Sequence, residues 1–371
     1  MTAIDFPTHP TELTTQWLTE ALEAAGVLHG AQVTGFTTTP VGEGIGMLGI
    51  LVRVALSYDR PAPGAPQTLI AKFPSDVPTN REVGVTYRLY EREVNFYTRV
   101  RPQIEGLAAP ECFGGQYEPA TGDSFLLLED LAAYRVGDQV VGCTAAEAME
   151  ILDAVIPLHA RYWNRIDDPL LEGMTKVDDP DQMAGIAAGC AAGWDPCVEM
   201  FPEAMPDEIR AVQERFTGSV PELHRMVGRL VQTVIHGDLR LDNMMFGDTP
   251  DLRPVVLLDW TLTKTSGLHD VAYLVSQNVD LAERRAHEAE IIEHYHGGLV
   301  EHGVEGYSLA QCWADYRLVV LHLFAYAIVI AGTLDPSNER GAAFMRQLLH
   351  RSSSAVMDHG LLALLPDPAS Q

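Results

Sequence analysis

Residues 236–243 read His-Gly-Asp-Leu-Arg-Leu-Asp-Asn, and their types and spacing suit transfer of phosphate from a nucleotide. Asp238 would stand beside an acceptor hydroxyl and take its proton, while the amide oxygen of Asn243, five positions on, would reach a Mg²⁺ holding the nucleotide phosphates. A carboxylate orients a hydroxyl without the bulk of a ring, and Mg²⁺ prefers hard oxygen ligands and retains several waters. The plainer alternative is a polar turn between strands, because Gly237 permits unusual backbone angles and Asp and Asn favour turns.

The flanking elements bear on that choice. Leu230–Ile235 is apolar and β-branched, Met244–Phe246 resumes the apolar run, and Val255–Leu258 is expected as a further strand ending at Asp259-Trp260. Asp259 follows Asp238 by 21 residues, the length of one hairpin back to the same end of a sheet. It is therefore a second candidate Mg²⁺ ligand, leaving the remaining positions to phosphate and water. An ordinary turn aspartate after a strand is the competing reading.

With these residues in place the chain resembles the protein-kinase-like small-molecule phosphotransferases: the aminoglycoside phosphotransferase, choline kinase and ecdysteroid-kinase-like families. The resemblance rests on His236-Gly237-Asp238, Asn243 and Asp259. Protein kinases carry Arg in the Gly237 position and Phe-Gly after the second aspartate, where this chain has Trp260-Thr261, a departure that favours a small-molecule acceptor. Gly267 to Ala272 is similar to the families' Gly-x-x-Asp-x-Ala segment, in which Asp270 would brace the catalytic loop; read locally, Asp270 is a helix N-cap. The resemblance implies an α+β, bilobal protein-kinase-like fold. A small β-rich N-lobe would cover residues 1–128, a hinge 129–131, and a larger, mainly helical C-lobe 132–371. It also implies ATP as donor, Mg²⁺ as cofactor and a small-molecule alcohol as acceptor.

Further pieces stand upstream in kinase order. Gly44-Ile45-Gly46-Met47-Leu48-Gly49 is followed by a β-rich run, Leu51 to Tyr58. A dinucleotide site would need a helix there, so a loop folded over phosphates is expected, with Gly44 and Gly46 as candidates and a glycine-rich hairpin as the alternative. The chain has only three lysines, at 72, 176 and 264. Lys72 lies inside the apolar strand Thr68–Phe73, where its flexible stem can carry an ammonium to phosphate oxygens; a solvent-facing edge-strand lysine is the alternative. The resemblance assigns it to the α- and β-phosphates, paired with a glutamate on the following helix. That helix is expected from Asn80 to Arg101. On it Glu93 shares an apolar stripe with Leu89, Phe96 and Val100, whereas Glu91 shares a polar face with Arg88, Asn95 and Thr98. A glutamate on an apolar stripe needs a partner, which selects Glu93. Glu93 to Tyr97 and Leu158 to Trp163 also resemble segments of the ecdysteroid-kinase-like group.

Phe125–Leu128 leads into Glu129-Asp130-Leu131, where order and resemblance place the adenine-binding crossover through Glu129 and Leu131; an ordinary strand ending in a turn is the equal alternative. Arg240 either stabilises the transferring phosphoryl group or forms a salt bridge with Asp242. His236 is expected to be a hydrogen-bonded scaffold residue.

Composition bounds the rest. At 371 residues the chain can bury two substantial lobes. A formal charge of −26 argues against nucleic acid and anionic membrane as partners. An acidic cleft would attract a cationic alcohol or aminosugar, although the same charge also serves solubility. Cysteines at 112, 143, 190, 197 and 312 form no Cys-x-x-Cys pair and are expected to be reduced thiols. Residues 1–10 lack a basic region and apolar core, and Leu318–Ala331 is short for a membrane span and interrupted by His322, so a cytoplasmic protein without membrane insertion is expected. Helices are expected at Ala145–Trp163, within Glu208–Leu230 with a break near Pro221, and from Val271 onward. Trp194, Asp195, Trp313, Asp315 and Tyr316 are either an aromatic, acidic lining for a cation or core packing. Two further classes remain open: a catalytically silent kinase-like binding protein, and a nucleotidyl transferase on the same scaffold.

Overall fold

A computed structural model describes residues 6–41, 49–334 and 339–366. Two compact units divide the chain: Met1–Tyr134 with Val256–Thr261, and Arg135–Val255 with Leu262–Gln371. Asp259 thus groups with the first unit, whereas the sequence division placed it with the C-terminal part.

In the first unit α1 (Thr15–Ala24), capped by the Thr14 side chain, precedes β1 (Val33–Pro40), β2 (Gly49–Tyr58) and β3 (Thr68–Pro74). With β4 (Cys112–Glu118) and β5 (Asp123–Glu129) these strands form an antiparallel sheet ordered β1-β2-β3-β5-β4. Strand alternation sorts the side chains. Leu69, Ala71 and Phe73 of β3 enter one core with Val52, Val54, Leu127 and the α1 residues Leu18 and Leu22. Burying each large apolar side chain contributes roughly 1.5–3 kcal/mol. Lys72 consequently lies on the opposite face, in register with Leu51 and Leu126. Because β3 is a central strand, the edge-strand reading of Lys72 does not hold.

The stretch expected as one helix from Asn80 to Arg101 is broken. α2 (Pro78–Thr86) stops before Arg88, which adopts φ 54° in the left-handed region, and α3 (Leu89–Asn95) starts afresh before a π-helical turn over Phe96–Val100. The cause is local: the Arg88 guanidinium donates twice to Glu91 at 2.8 Å, and Gly84 admits the Tyr90 ring where an added Cβ would lie 2.4 Å from it.

The remaining strands are short: β6 (Arg135–Val136), β7 (Thr233–Ile235) and β8 (Met244–Phe246) of the second unit, β9 (Val255–Leu257), whose last two residues belong to the first, and β10 (Thr263–Thr265) of the second. β6 pairs with β8 and β7 with β10. The strand expected from Leu230 begins only at Thr233, because Gln232 Nε2 caps the preceding helix through Val227 O and Leu230 O.

The helices are α4 (Ala145–Arg161), α5 (Pro180–Met200), α6 (Asp207–Arg210), α7 (Gln213–Gly228), α8 (Leu268–Gln277), α9 (Leu281–Glu301), α10 (Leu309–Thr333) and α11 (Glu339–Asp358). A capping box between Thr144 and Glu147 starts α4. Pro221 lies inside α7 without ending it; the buried stripe of Phe216, Val220, Leu223 and Val227 carries the helix through, and the interruption falls earlier, between α6 and α7. By length and composition α10 is able to cross a membrane, with a mean hydropathy of 1.7 over 18 residues, yet 61% of that window is buried. Its neighbours are α5, α7, α8 and α11. Gly193 of α5 and Gly332 of α10 make the closest approach, where a Cβ on Gly332 would meet Gly193 O at 2.1 Å.

Candidate active site

The loop after β7 is fixed from beneath. Gly237 takes φ 89°, a region open to glycine, and turns the chain so that two successive amides face one carboxylate. Asp270 accepts from His236 N at 2.7 Å and Gly237 N at 3.1 Å, and its Oδ2 lies 3.2 Å from His159 Nε2. His159 is in turn oriented by Tyr295 at 3.0 Å. Asp270, His159 and His236 are all fully buried. Burial opposes the Asp270 charge, but His159 and the neighbouring imidazoles hold its pKa below the usual carboxylate value. The bracing role expected for Asp270 is what the geometry displays, whereas the N-cap reading is not: Gly267 occupies that position and Asp270 lies in the first turn of α8. His236 Nδ1 accepts from Asp238 N at 3.2 Å, as a scaffold residue does.

Within the loop, Asp238 Oδ2 accepts from Asn243 Nδ2 at 2.8 Å and Arg240 Nε at 3.1 Å, while among the described residues Oδ1 has only a long 3.4 Å bond from Tyr273 OH. One oxygen is saturated and the other is left to meet a hydroxyl. Asn243 Nδ2 also donates to Asp238 O at 3.0 Å, so its amide nitrogen faces the loop and Oδ1 serves as an acceptor. Burial opposes the charge of Arg240, and Asp238, Tyr273 and Asp242 raise its pKa. Arg240 therefore engages Asp238 at 3.1 Å as well as Asp242 at 3.8 Å, a sharing that neither sequence reading contained. Burial and the Asp238 carboxylate together push the Tyr273 phenol up, so it remains a proton donor.

A second support was not legible in the motif. Asp242 Oδ1 accepts from Gln139 N at 3.1 Å, and Leu241 N donates to Asn278 Oδ1 at 3.0 Å. The 138–141 turn is in turn held by α11: Arg351 donates to the carbonyls of Gln139, Val140 and Val141 at 2.7–3.1 Å, and Arg340 reaches Asp138 at 3.1 Å.

In the first unit, α3 brings Glu93 over the face of β3 that carries Lys72. Lys72 Nζ lies 2.7 Å from Glu93 Oε1 and 2.9 Å from Asp259 Oδ1. Of the candidate glutamates Glu82, Glu91 and Glu93 on the stretch expected as one helix, it is Glu93 that meets Lys72, while Glu91 is taken by Arg88. Burial opposes the lysine charge, but Asp259 and Glu93 raise its pKa; burial pushes the Glu93 carboxyl up, against the pull of Lys72. Asp259 adopts φ 54°. Its segment is anchored by Trp260, whose ring stacks on Phe96 at 4.3 Å and 12° and whose Nε1 donates to Leu257 O at 2.9 Å, and by the Arg92 guanidinium on Thr261 O. Trp260, noted in the sequence only as a departure, thus sets the aspartate before it.

Asn243 and Asp259 offer the hard oxygens that Mg²⁺ takes. Among the described residues no group of three or more His, Cys, Asp or Glu side chains is placed to hold a metal.

At the crossover, Glu129 N donates to Glu111 O at 2.8 Å and the Glu129 carboxylate accepts from Glu111 N at 3.1 Å. The Glu129 amide is thus paired within the first unit. Asp130 accepts from Arg53 at 2.6 and 3.1 Å, and Leu131 O accepts from Tyr134 N at 2.9 Å. Gly44 and Gly46 lie outside the described residues.

A cavity of about 200 Å³ in the second unit includes Gly237 and Asp238 in its wall. The residues named earlier as an aromatic, acidic lining do not surround it. Trp194 is buried against Phe216 and Phe324, Asp315 bonds to Tyr307 and Gln311, and Tyr316 bonds to Glu288. The wall instead includes Gln182, Thr265, His269, Tyr273 and Tyr326. Thr265, His269 and Tyr273 follow one another at four-residue intervals across β10 and α8, whereas Gln182 of α5 and Tyr326 of α10 lie far from them in the chain.

Behind the cavity His224 and His322 lie 4.4 Å apart between ring centroids, and His269 is 6.2 Å from His322. Burial depresses all three below the usual 6.5, His322 most, with the neighbouring imidazoles adding to the effect on His322 and His224 adding to that on His269. The sign follows. Below 6.5 the unfolded chain binds protons that the folded chain does not, so their contribution is complete above 6.5 and is lost as the pH falls towards the folded values. Each such group costs at most about 1.4 kcal/mol per pH unit. The urea midpoint is expected to fall between pH 7.5 and 5.5 by more in the wild type than in His322→Phe; equal pH slopes would contradict this.

The sequence profile of the ecdysteroid kinase-like family matches residues 43–304. No curated protein matches significantly. Among solved structures, an aminoglycoside phosphotransferase-like protein of Ralstonia eutropha JMP134 is similar, with TM-score 0.51, 15% identity, and coverage of 92% of this chain and 98% of that one. Choline kinase from Cryptosporidium parvum Iowa II gives TM-score 0.52 at 11% identity, covering 89% and 92%. The GDP complex of wild-type aminoglycoside 2′-phosphotransferase-IIIa gives 0.51 at 13% identity, covering 92% and 99%. At these identities the likeness establishes the fold, an α+β protein-kinase-like one with an antiparallel-sheet N-terminal region and a mostly helical C-terminal region. With the profile spanning most of its length, the chain belongs to the ecdysteroid kinase-like family.

Proposed function

We propose that the protein is an ATP- and Mg²⁺-dependent phosphotransferase acting on the hydroxyl of a small molecule. The observation that carries the reading is Asp238: a carboxylate with one oxygen held by Arg240 and Asn243, the other reached only by Tyr273, in the wall of a cavity. A residue serving binding alone has no use for that arrangement. In the proposed reaction the acceptor oxygen forms a bond to the γ-phosphorus as the bond from that phosphorus to the β–γ bridging oxygen breaks. ADP departs, and the hydroxyl proton passes to Asp238. Arg240 steadies Asp238 and offsets negative charge on the transferring group. Asn243 and Asp259 would hold Mg²⁺, which would supply Lewis-acid neutralisation of the phosphates. Lys72, aligned by Glu93, meets the α- and β-phosphates, and the 129–131 crossover, through Glu129 and Leu131, receives the base.

Two facts about relatives support this reading: the family's name describes kinases, and a fold neighbour was solved with GDP. The test is incubation with γ-labelled ATP, Mg²⁺ and a panel of alcohols, with products identified by mass. A phosphate monoester is expected; transfer of AMP would sink the assignment. Lys72→Met is expected to raise KM for ATP about tenfold to a hundredfold, the value of a charge-assisted hydrogen bond of roughly 1.5–3 kcal/mol. An unchanged KM would remove Lys72 from the phosphate site.

A further inference from the structure

One helix holds the 236–243 loop at several points, and one of them is the base itself. Asp270 and Tyr273 stand three positions apart on α8 and so share a face of the helix. Asp270 takes the amides of His236 and Gly237. Asn278, at the end of α8, accepts from Leu241 N at 3.0 Å through Oδ1 and donates through Nδ2 to the Tyr273 carbonyl at 3.1 Å. One buried amide thus ties the backbone of Tyr273 to the loop, while the Tyr273 hydroxyl meets Asp238 Oδ1 at 3.4 Å. Residues 238–241, Asn278 and Tyr273 form a closed ring of contacts, which fixes the root of the Tyr273 side chain relative to the carboxylate it touches.

The lone pairs of Asp238 show what that contact does. An ionised carboxylate offers about four acceptor sites, roughly two to each oxygen. Asn243 Nδ2 and Arg240 Nε fill those of Oδ2, and Tyr273 is the one donor to Oδ1 among the described residues. A single site on Oδ1 is left for an incoming hydroxyl. Burial, and then the Asp238 charge, keep the Tyr273 phenol protonated, so it serves as a donor and not as a rival base. Its bond is longer than the usual O–H···O distance of about 2.7 Å, and so orients Oδ1 while taking little of its basicity. Tyr273 and Asp238 also stand together in the wall of the same cavity.

We propose that Tyr273 is a positioning residue for the transfer: its hydroxyl takes one acceptor site of Asp238 Oδ1 and thereby directs the other at the O–H of the acceptor. The proposal rests on the phosphotransferase reading and adds to it a residue outside the 236–243 loop. In the step itself the acceptor proton passes to Oδ1 as the acceptor oxygen bonds to phosphorus, and the tyrosine proton stays on its own oxygen throughout. Tyr273 acts through Asp238 alone.

Tyr273→Phe removes the hydroxyl and keeps the ring. With γ-labelled ATP, Mg²⁺ and the alcohol of the panel that is phosphorylated fastest, kcat is expected to fall about three- to tenfold, the range of one net hydrogen bond, with KM for ATP and for the alcohol unchanged. In Asp238→Asn, which has no carboxylate for the phenol to direct, the same replacement is expected to leave the residual single-turnover rate where it was, because groups that act through one another are not additive. An equal fall in both backgrounds, which a packing role would give, overturns the proposal. So does an intact kcat, with or without a raised KM for the alcohol. Should no alcohol be phosphorylated, the phosphotransferase reading fails, and the contact is decided without turnover. In protein isotopically labelled at tyrosine Cζ, the resonance missing from Tyr273→Phe identifies residue 273; that resonance is expected to move in Asp238→Asn, and an unmoved one overturns the contact.

Discussion

Asp238→Asn is expected to lower kcat for phosphoryl transfer by about 10²–10⁴-fold, the usual value of a positioned general base. The substitution keeps the shape of the side chain but replaces its basic oxygen with one that takes a proton poorly. It also turns an amide donor or a weaker acceptor toward Arg240 and Asn243, both now within 3.1 Å. Asp242, 3.8 Å from Arg240, remains as a counter-charge, so the loop should stay folded. ATP binding measured by calorimetry is expected to change far less than kcat. A turnover within a few-fold of wild type would remove Asp238 from the chemistry and return the silent-binder reading to first place.

Asp270→Ala is expected to be the most damaging single change to the loop, at about 3–5 kcal/mol of stability, the cost of breaking a buried charge-paired group. It strands the amides of His236 and Gly237 and the ring of His159 at once, in a place with no access to water. Asp270→Asn keeps one acceptor oxygen and should cost less. Urea unfolding of the two variants checks both values, and the same proteins assayed for turnover should rank in the same order. If alanine proved as stable as asparagine, the loop would be held chiefly by Asn278 and Gln139, which fasten Leu241 and Asp242 from the other side.

The parts legible in the sequence were those encoded by short spacing. Strand alternation placed Lys72 opposite Leu69, Ala71 and Phe73, and helical periodicity chose Glu93 over Glu91, because both rules act within a few residues. The helix break at Arg88 escaped them, since it depends on a side-chain fork to Glu91 and on room for Tyr90 beside Gly84. The aromatic residues were open to two readings, lining or core packing, because aromatic residues serve packing and recognition alike, and only tertiary neighbours separate the two. Tyr273 brings nothing recognisable to its local sequence, and His159 only a family-like segment without a role; they matter through partners 35 residues away in the first case and 111 in the second. The wall of the cavity joins the neighbouring β10 and α8 to the distant α5 and α10, a juxtaposition legible only in three dimensions.

The segment shared with the family ends at residue 304, yet the turn that steadies Asp242 is gripped by Arg340 and Arg351, both beyond it. The working enzyme is thus longer than its recognisable signature. A protein shortened after α9 would retain every residue a motif search looks for, and would lose the clasp that keeps them in register.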